Sequence, residues 1–299
     1  MRITHRMMNR ELMHHLSRNM ERLDDLNRQL SSGKRILKVS DDVPGARQVM
    51  HLQQENGRID SYLQNMSNVE DMLNMATTTV GQVLDVISAV KERAVQSATG
   101  TYSSANRSAI AEDVDGMLQT LLSLANVRHK GAYVFSGEAA GTIPFTTTKN
   151  AQGRVASVSY QGARVCTEAP VAPGISTETN VVGSEVFQGN GGLFQTIIEL
   201  RDAIRTGDMS QIKDSIAELD LDRSDVLRGV GRLGERQTQM GILRTSTEKM
   251  QDLNTKMISD RSDADMAELS VEYNRQMALL QVVMRVAASS TRPSIADFL

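Results

Sequence analysis

The chain has 299 residues, a net charge of −3, ten aromatic residues split evenly between Tyr and Phe, no Trp, and one cysteine. That length allows two or three domains. Lys and Arg are scattered among acids, so there is no nucleic-acid footprint, and Cys166 alone rules out an intrachain disulfide or a cysteine-rich metal centre. No stretch reaches the roughly 18 apolar residues of a membrane helix, and the 17 methionines suit long helix seams better than an enzyme pocket.

The first predicted helix runs from about Met7 to Leu30. Leu12, Leu16, Leu23, Leu26 and Leu30 fall at alternating spacings of four and three, with Asn19 at the vacant step. A 3.5-residue apolar period makes a narrow seam that one helix cannot bury alone. Ser31-Ser32-Gly33 ends the helix, glycine supplying the left-handed backbone that a helix C-terminus favours. After a short link, Asp41-Asp42-Val43-Pro44 reads as the start of a second helix, with Asp able to cap free N–H groups and Pro suited to the first turn.

That second helix is predicted to continue to about Ala98. Its stripe is Ile59, Leu63, Met66, Leu73, Val80, Val83, Ile87, Val90 and Ala94. Glu70 and Thr77 interrupt it, either as register pins or where Val69 and Ala76 take over. A third helix follows a turn at Gly100 to Ser104, with Ile110, Val114, Met117, Leu121 and Leu124 as its stripe.

Near Gly131 the helical period fades. Six of the ten aromatic residues, three of the five prolines and ten of the 21 glycines lie between Gly131 and Phe194. Tyr133 to Phe135, Arg154 to Tyr160 and Arg164 to Thr167 read as strands. Residues 136–190 are therefore expected to form a small inserted β domain.

Helix resumes at Leu193 and stops at Gly207, and a long pattern from Ile212 runs toward Met257. The Asp260 to Asp265 segment breaks it, and Pro293 closes the last helix. In that helix Met266, Leu269, Tyr273, Leu280, Val283 and Ala287 repeat the rhythm of the first, with Gln276 at the vacant step. The expected fold class is mainly α: a long-helix bundle (43–135 with 191–259), a terminal coiled coil (1–42 with 260–299) and the β insert. The expected assembly interface is Leu12, Leu16, Leu23, Leu26 and Leu30 with Leu269, Tyr273, Leu280, Val283 and Ala287.

Chemistry-bearing motifs are sparse. Gly229-Val230-Gly231-Arg232-Leu233-Gly234 matches a dinucleotide-binding pattern, but that chemistry needs a strand before it, and here a helical stripe runs through it. Asp260, Asp263 and Asp265 do not fit a calcium loop and read as helix caps. The five histidines fall in no zinc or triad spacing, so neither catalysis nor a cofactor nor a metal is expected.

The string Leu30-Ser31-Ser32-Gly33-Lys34-Arg35-Ile36, then Ser40-Asp41-Asp42 and Pro44-Gly45-Ala46, resembles the N-terminal block of the flagellin family. Asp260 to Glu268, with its spaced aspartates before a helix, resembles that family's C-terminal block. The motif residues carried over are Ser32, Gly33, Arg35, Asp41, Asp42, Asp263 and Asp265. Within the family, the opening Met1-Arg2-Ile3-Thr4, the segment Gly131 to Gly137 and the ending Ser294 to Leu299 resemble hook-associated members, and the Asn-rich opening usual in filament-forming flagellins is absent.

The resemblance implies a structural subunit at the hook–filament junction, with a filament-forming flagellin as the alternative. It further implies a homo-oligomeric ring or helical layer, contact with the first hook-associated junction protein and with flagellin, and an export chaperone. No nucleic-acid or membrane partner is implied. An extracellular place on the bacterial flagellum follows, reached without a cleaved signal peptide; the opening lacks an apolar signal region.

Overall fold

A computed structural model describes residues 5–99, 102–187 and 192–290. The fold is mainly α, with seven helices and three small antiparallel hairpins among the described residues. The helices are α1 (His5–Ser32), α2 (Val43–Ser97), α3 (Ser104–Ala125), α4 (Gly183–Phe187), α5 (Leu193–Thr206), α6 (Met209–Ser262) and α7 (Met266–Ser290). Contacts divide the chain into two units: residues up to Arg58 with those from Met250 on, and Ile59–Lys249.

The larger unit holds the main core. The second-helix stripe is buried as its period requires, with Met66, Val80, Val83, Ile87, Val90 and Ala94 fully inside. At the two polar interruptions Val69 and Ala76 are the buried residues. Glu70 instead turns to Arg244 on α6 at 2.5 Å, and Lys91 meets Asp220 at 2.6 Å. These pairs run in opposite chain directions, so α2 and α6 are antiparallel here. Ser103 caps α3 by accepting from the Asn106 N–H at 3.3 Å, and Gly207 ends α5 at φ 81°. The glycine-rich pattern at 229–234 lies inside α6.

The β-rich segment departs in detail from its sequence pattern. Its strands pair as β1 (Arg128–His129) with β2 (Ala132–Tyr133), β3 (Phe145–Lys149) with β4 (Val155–Tyr160), and β5 (Glu168–Ala172) with β6 (Ile175–Glu178). Arg164 to Thr167 is not a strand. Pairing starts at Glu168, and Pro170, which reads as a breaker, sits beside a register shift where a proline is tolerated. Val134 and Phe135 continue the aromatic run not as strand but as buried side chains.

Four phenylalanines explain why the aromatics gather here. Phe135, Phe145, Phe187 and Phe194 form one cluster, with Phe135 and Phe187 edge-to-face at 5.1 Å and Phe145 and Phe194 at the same distance. The chain leaves and re-enters this cluster at a neck, where the Gly183 N–H donates to the Phe135 carbonyl at 3.0 Å. A Cβ on Gly183 would come within 2.7 Å of that oxygen, so only glycine fits. The hairpins also share the helices' core: Phe145, Val155 and Val171 are buried in the same apolar cluster as α3 and α5.

A buried ion pair lies beside that core. The Arg201 side chain is 1% exposed and donates to Asp115 Oδ1 at 2.6 Å and to the Val155 carbonyl at 2.8 Å. It thereby ties α5, α3 and β4 together. Asn126, at the end of α3, clamps Phe145 from the other side, accepting from its N–H and donating to its carbonyl, both at 2.9 Å.

Candidate assembly surface

In the terminal unit α1 packs against α7. Leu23 and Leu26 are buried at the seam, while Leu12, Leu16 and Leu30 are half-buried. On α7 the half-buried positions include Leu269, Tyr273, Leu280, Val283 and Ala287. The seam residues of both ends are thus on the facing sides. The two vacant steps meet: the Gln276 side-chain amide donates to Asn19 Oδ1 at 3.1 Å.

At the base of this pair the two links, 33–42 and 263–265, are fastened to each other. The Arg35 N–H donates to the Ser262 carbonyl at 2.7 Å and the Ala264 N–H to the Gly33 carbonyl at 3.0 Å. Gly33 can turn there because its φ is 68°, a backbone that costs other residues. Lys34 forms an ion pair with Asp263, and its ammonium also reaches Ser262 Oγ at 3.3 Å. Arg35 donates to the Arg261 carbonyl at 2.9 Å and to Asp42 Oδ2 at 3.1 Å.

The other motif residues hold the link in shape. Ser32 Oγ accepts from the Lys34 N–H at 3.2 Å. Asp41 accepts from the Leu37 and Lys38 N–H groups at 3.0 and 2.7 Å, and the Lys38 bond is the largest cause lowering its pKa. Asp42 caps α2 by accepting from the Gly45 N–H at 2.9 Å, which is the chief cause of its own lowered pKa. Gly45 must stay small, since a Cβ would lie 2.9 Å from Ile36 Cδ1 and 2.8 Å from Asp42 Cγ.

At the C-terminal link only part of the capping expectation holds. Asp265 caps α7, accepting from Ala267 and Glu268 N–H groups at 2.9 and 3.1 Å. Asp263 does different work. Hydrogen bonds from Lys34 first, then from Ser259, hold its carboxyl down to about 2. Sequence reasoning missed Lys34 and Ser262 as its partners; the only signal was one lysine and one set of spaced aspartates in two blocks 229 residues apart.

The outer surface of this unit is unusually apolar. Of 24 exposed large hydrophobic residues among the described residues, 17 lie in the terminal unit, although it is the smaller one. On α7, Val271, Leu279, Val282 and Val286 are exposed while the seam is turned to α1. A helix apolar on more than one face is one built to be surrounded. The opening 1–4 and the ending from 291, with Pro293 and the Ser294 to Leu299 motif, lie outside the described residues.

The two blocks that resemble those of the flagellin family are thus fastened to each other at the base of the terminal helix pair. Residues 3–140, just under half of the chain, match the family described as the bacterial flagellin N-terminal helical region. The chain is similar to flagellar hook-associated protein 3 of Escherichia coli, 29% identical over 150 residues that cover 50% of this chain and 47% of that one. It is equally similar to the Salmonella typhimurium protein of the same name, 29% identical over 163 residues, 54% of this chain and 51% of that one. The chain thus matches these relatives over about half their length. Among solved structures, FlgL of Xanthomonas campestris has the same fold, with a TM-score of 0.61 at 16% identity over 70% of this chain and 99% of that one.

Proposed function

We propose that this chain is a structural junction protein of the bacterial flagellum, joining the hook side to the filament by self-assembly through its terminal helices. The observation that carries this reading is the concentration of exposed apolar side chains in the terminal unit. Exposed apolar side chains concentrated in one unit are what a protein–protein interface needs. The likeness to hook-associated protein 3 points to the junction as the place of that interface.

In this reading the α1–α7 seam brings the two chain ends together and the outer faces of both helices meet neighbouring subunits in a ring or helical layer. The first hook-associated junction protein lies on one side and flagellin on the other. An export chaperone covers the apolar ends before assembly, and the protein reaches the cell exterior without a cleaved signal peptide. The role is structural rather than catalytic. The β-rich segment 136–190 forms the outward-facing domain.

Negative-stain microscopy of a strain lacking this chain tests the reading. Hooks without filaments, with flagellin released into the medium, are expected. Normal filaments would overturn it, and hooks without filaments and without released flagellin would favour a filament-forming flagellin instead.

A further inference from the structure

The methionines divide sharply between the two units. The nine methionines of the terminal unit whose side chains are described are all exposed, whereas none of the six in the larger unit is; Met66 and Met240 there are 0% and 1% exposed. Six of the nine form three pairs spaced by seven residues: Met13 with Met20, Met250 with Met257, and Met277 with Met284. Seven residues is about two helical turns, so each pair shares one face about 10 Å apart. On α1 and α7 those faces flank the leucine seam.

Exposed thioethers are open to two-electron oxidants, and the product is a different side chain. A peroxide transfers one oxygen to sulfur as its O–O bond breaks; the sulfide is oxidised to a sulfoxide and the peroxide is reduced to water. The sulfoxide is polar and accepts hydrogen bonds, so burying it without a donor is unfavourable. Cys166, the one thiol, is poorly placed to compete. It is half-buried, donates to the Asn180 carbonyl at 3.5 Å, and burial pushes its pKa up to about 11, leaving little thiolate to react.

We propose that the six paired methionines of the terminal unit are peroxide-oxidisable modification sites, and that their conversion to sulfoxides stops the free subunit from joining the flagellum. The blocking half rests on the assembly reading above; the modification half does not. Oxidation leaves the fold intact, because none of these side chains belongs to the core. A methionine-sulfoxide reductase reverses it.

The test treats the purified full-length subunit with hydrogen peroxide and maps the added oxygen by peptide mass spectrometry. The three pairs should be oxidised about tenfold or more ahead of Met66 and Met240, with an unchanged melting curve. Treated and untreated protein are then added to hooks isolated from the deletion strain and scored by electron microscopy. Untreated protein should join, treated protein should not, and reductase treatment should restore joining. A variant with all six paired methionines replaced by leucine should join after peroxide.

Equal oxidation of Met66 and Met240 would overturn the modification half. Joining by treated protein, or a leucine variant still blocked by peroxide, would overturn the blocking half. Failure of untreated protein to join would instead bring down the assembly reading and the blocking half with it, while the mass map still decides the modification.

Discussion

Gln276 on α7 donates a 3.1 Å hydrogen bond to Asn19 on α1, so the two polar steps of the end seams face each other. A polar pair in an apolar seam fixes register, because any slip of the helices strands both amides against apolar neighbours. Gln276→Leu should cost about 1 kcal/mol, from the unpaired Asn19 amide. The double change with Asn19→Leu should recover most of that cost and loosen the register. Denaturation of the four proteins of that mutant cycle, followed by a probe on α7, measures the coupling.

The Lys34–Asp263 pair makes a second, pH-dependent prediction. The Asp263 carboxyl is held at about 2, below its usual 3.8. A depressed folded value means the pair stabilises the fold above the unfolded pKa and loses that contribution as pH falls from about 4 toward 2. The pair is about half exposed, so the effect is modest. Protection of the Arg35 and Ala264 amides, taken relative to the intrinsic exchange rate at each pH, should fall across that window, and Asp263→Asn should show the lowered protection at neutral pH as well as in acid, with no step across the window.

Protection in the free subunit should decline from this fastening toward the tips of α1 and α7. Only Leu23 and Leu26 of the α1 seam are buried, both near its base, and a helix pair with so little buried surface is marginal. Exchange mapped along both helices checks this. Uniform strong protection out to Leu12 would show that the seam needs no neighbour.

Arg201 predicts a sharp loss in the larger unit. Arg201→Ala leaves Asp115 buried without its partner and removes a donor from the Val155 carbonyl. Breaking a buried pair in this way costs about 3–5 kcal/mol, which for a unit of this size lowers Tm by roughly 10 °C. Calorimetry of the variant is the measurement, and hairpin β3–β4 should be the first part to lose protection.

What was legible in the sequence was what depends on neighbours along the chain. The seam leucines, the turn at Gly33, the Asp42 cap and the stop at Gly207 are all set within a few residues, and each lies where its local chemistry directs. The strands were harder. Phe145–Lys149 carries three threonines and only one buried residue, so its pairing with β4 leaves almost no alternation to read. The Lys34–Asp263 and Asp115–Arg201 contacts were silent for a different reason: each joins single charged residues far apart in sequence, and no period announces them.

In the proposed reading the terminal unit is an assembly surface while the larger unit carries the stability of the free subunit. Ile87 is 0% exposed in that larger core, whereas Leu280 is half-buried on α7. A buried unpaired carboxylate costs several kcal/mol, so Ile87→Asp should lower the melting temperature of the subunit by many degrees and Leu280→Asp should barely change it. The decisive measurement is electron microscopy of the deletion strain complemented with Leu280→Asp. Bare hooks, alongside a soluble variant that melts like the unaltered protein, are the result this account predicts; filaments restored by Leu280→Asp would contradict it.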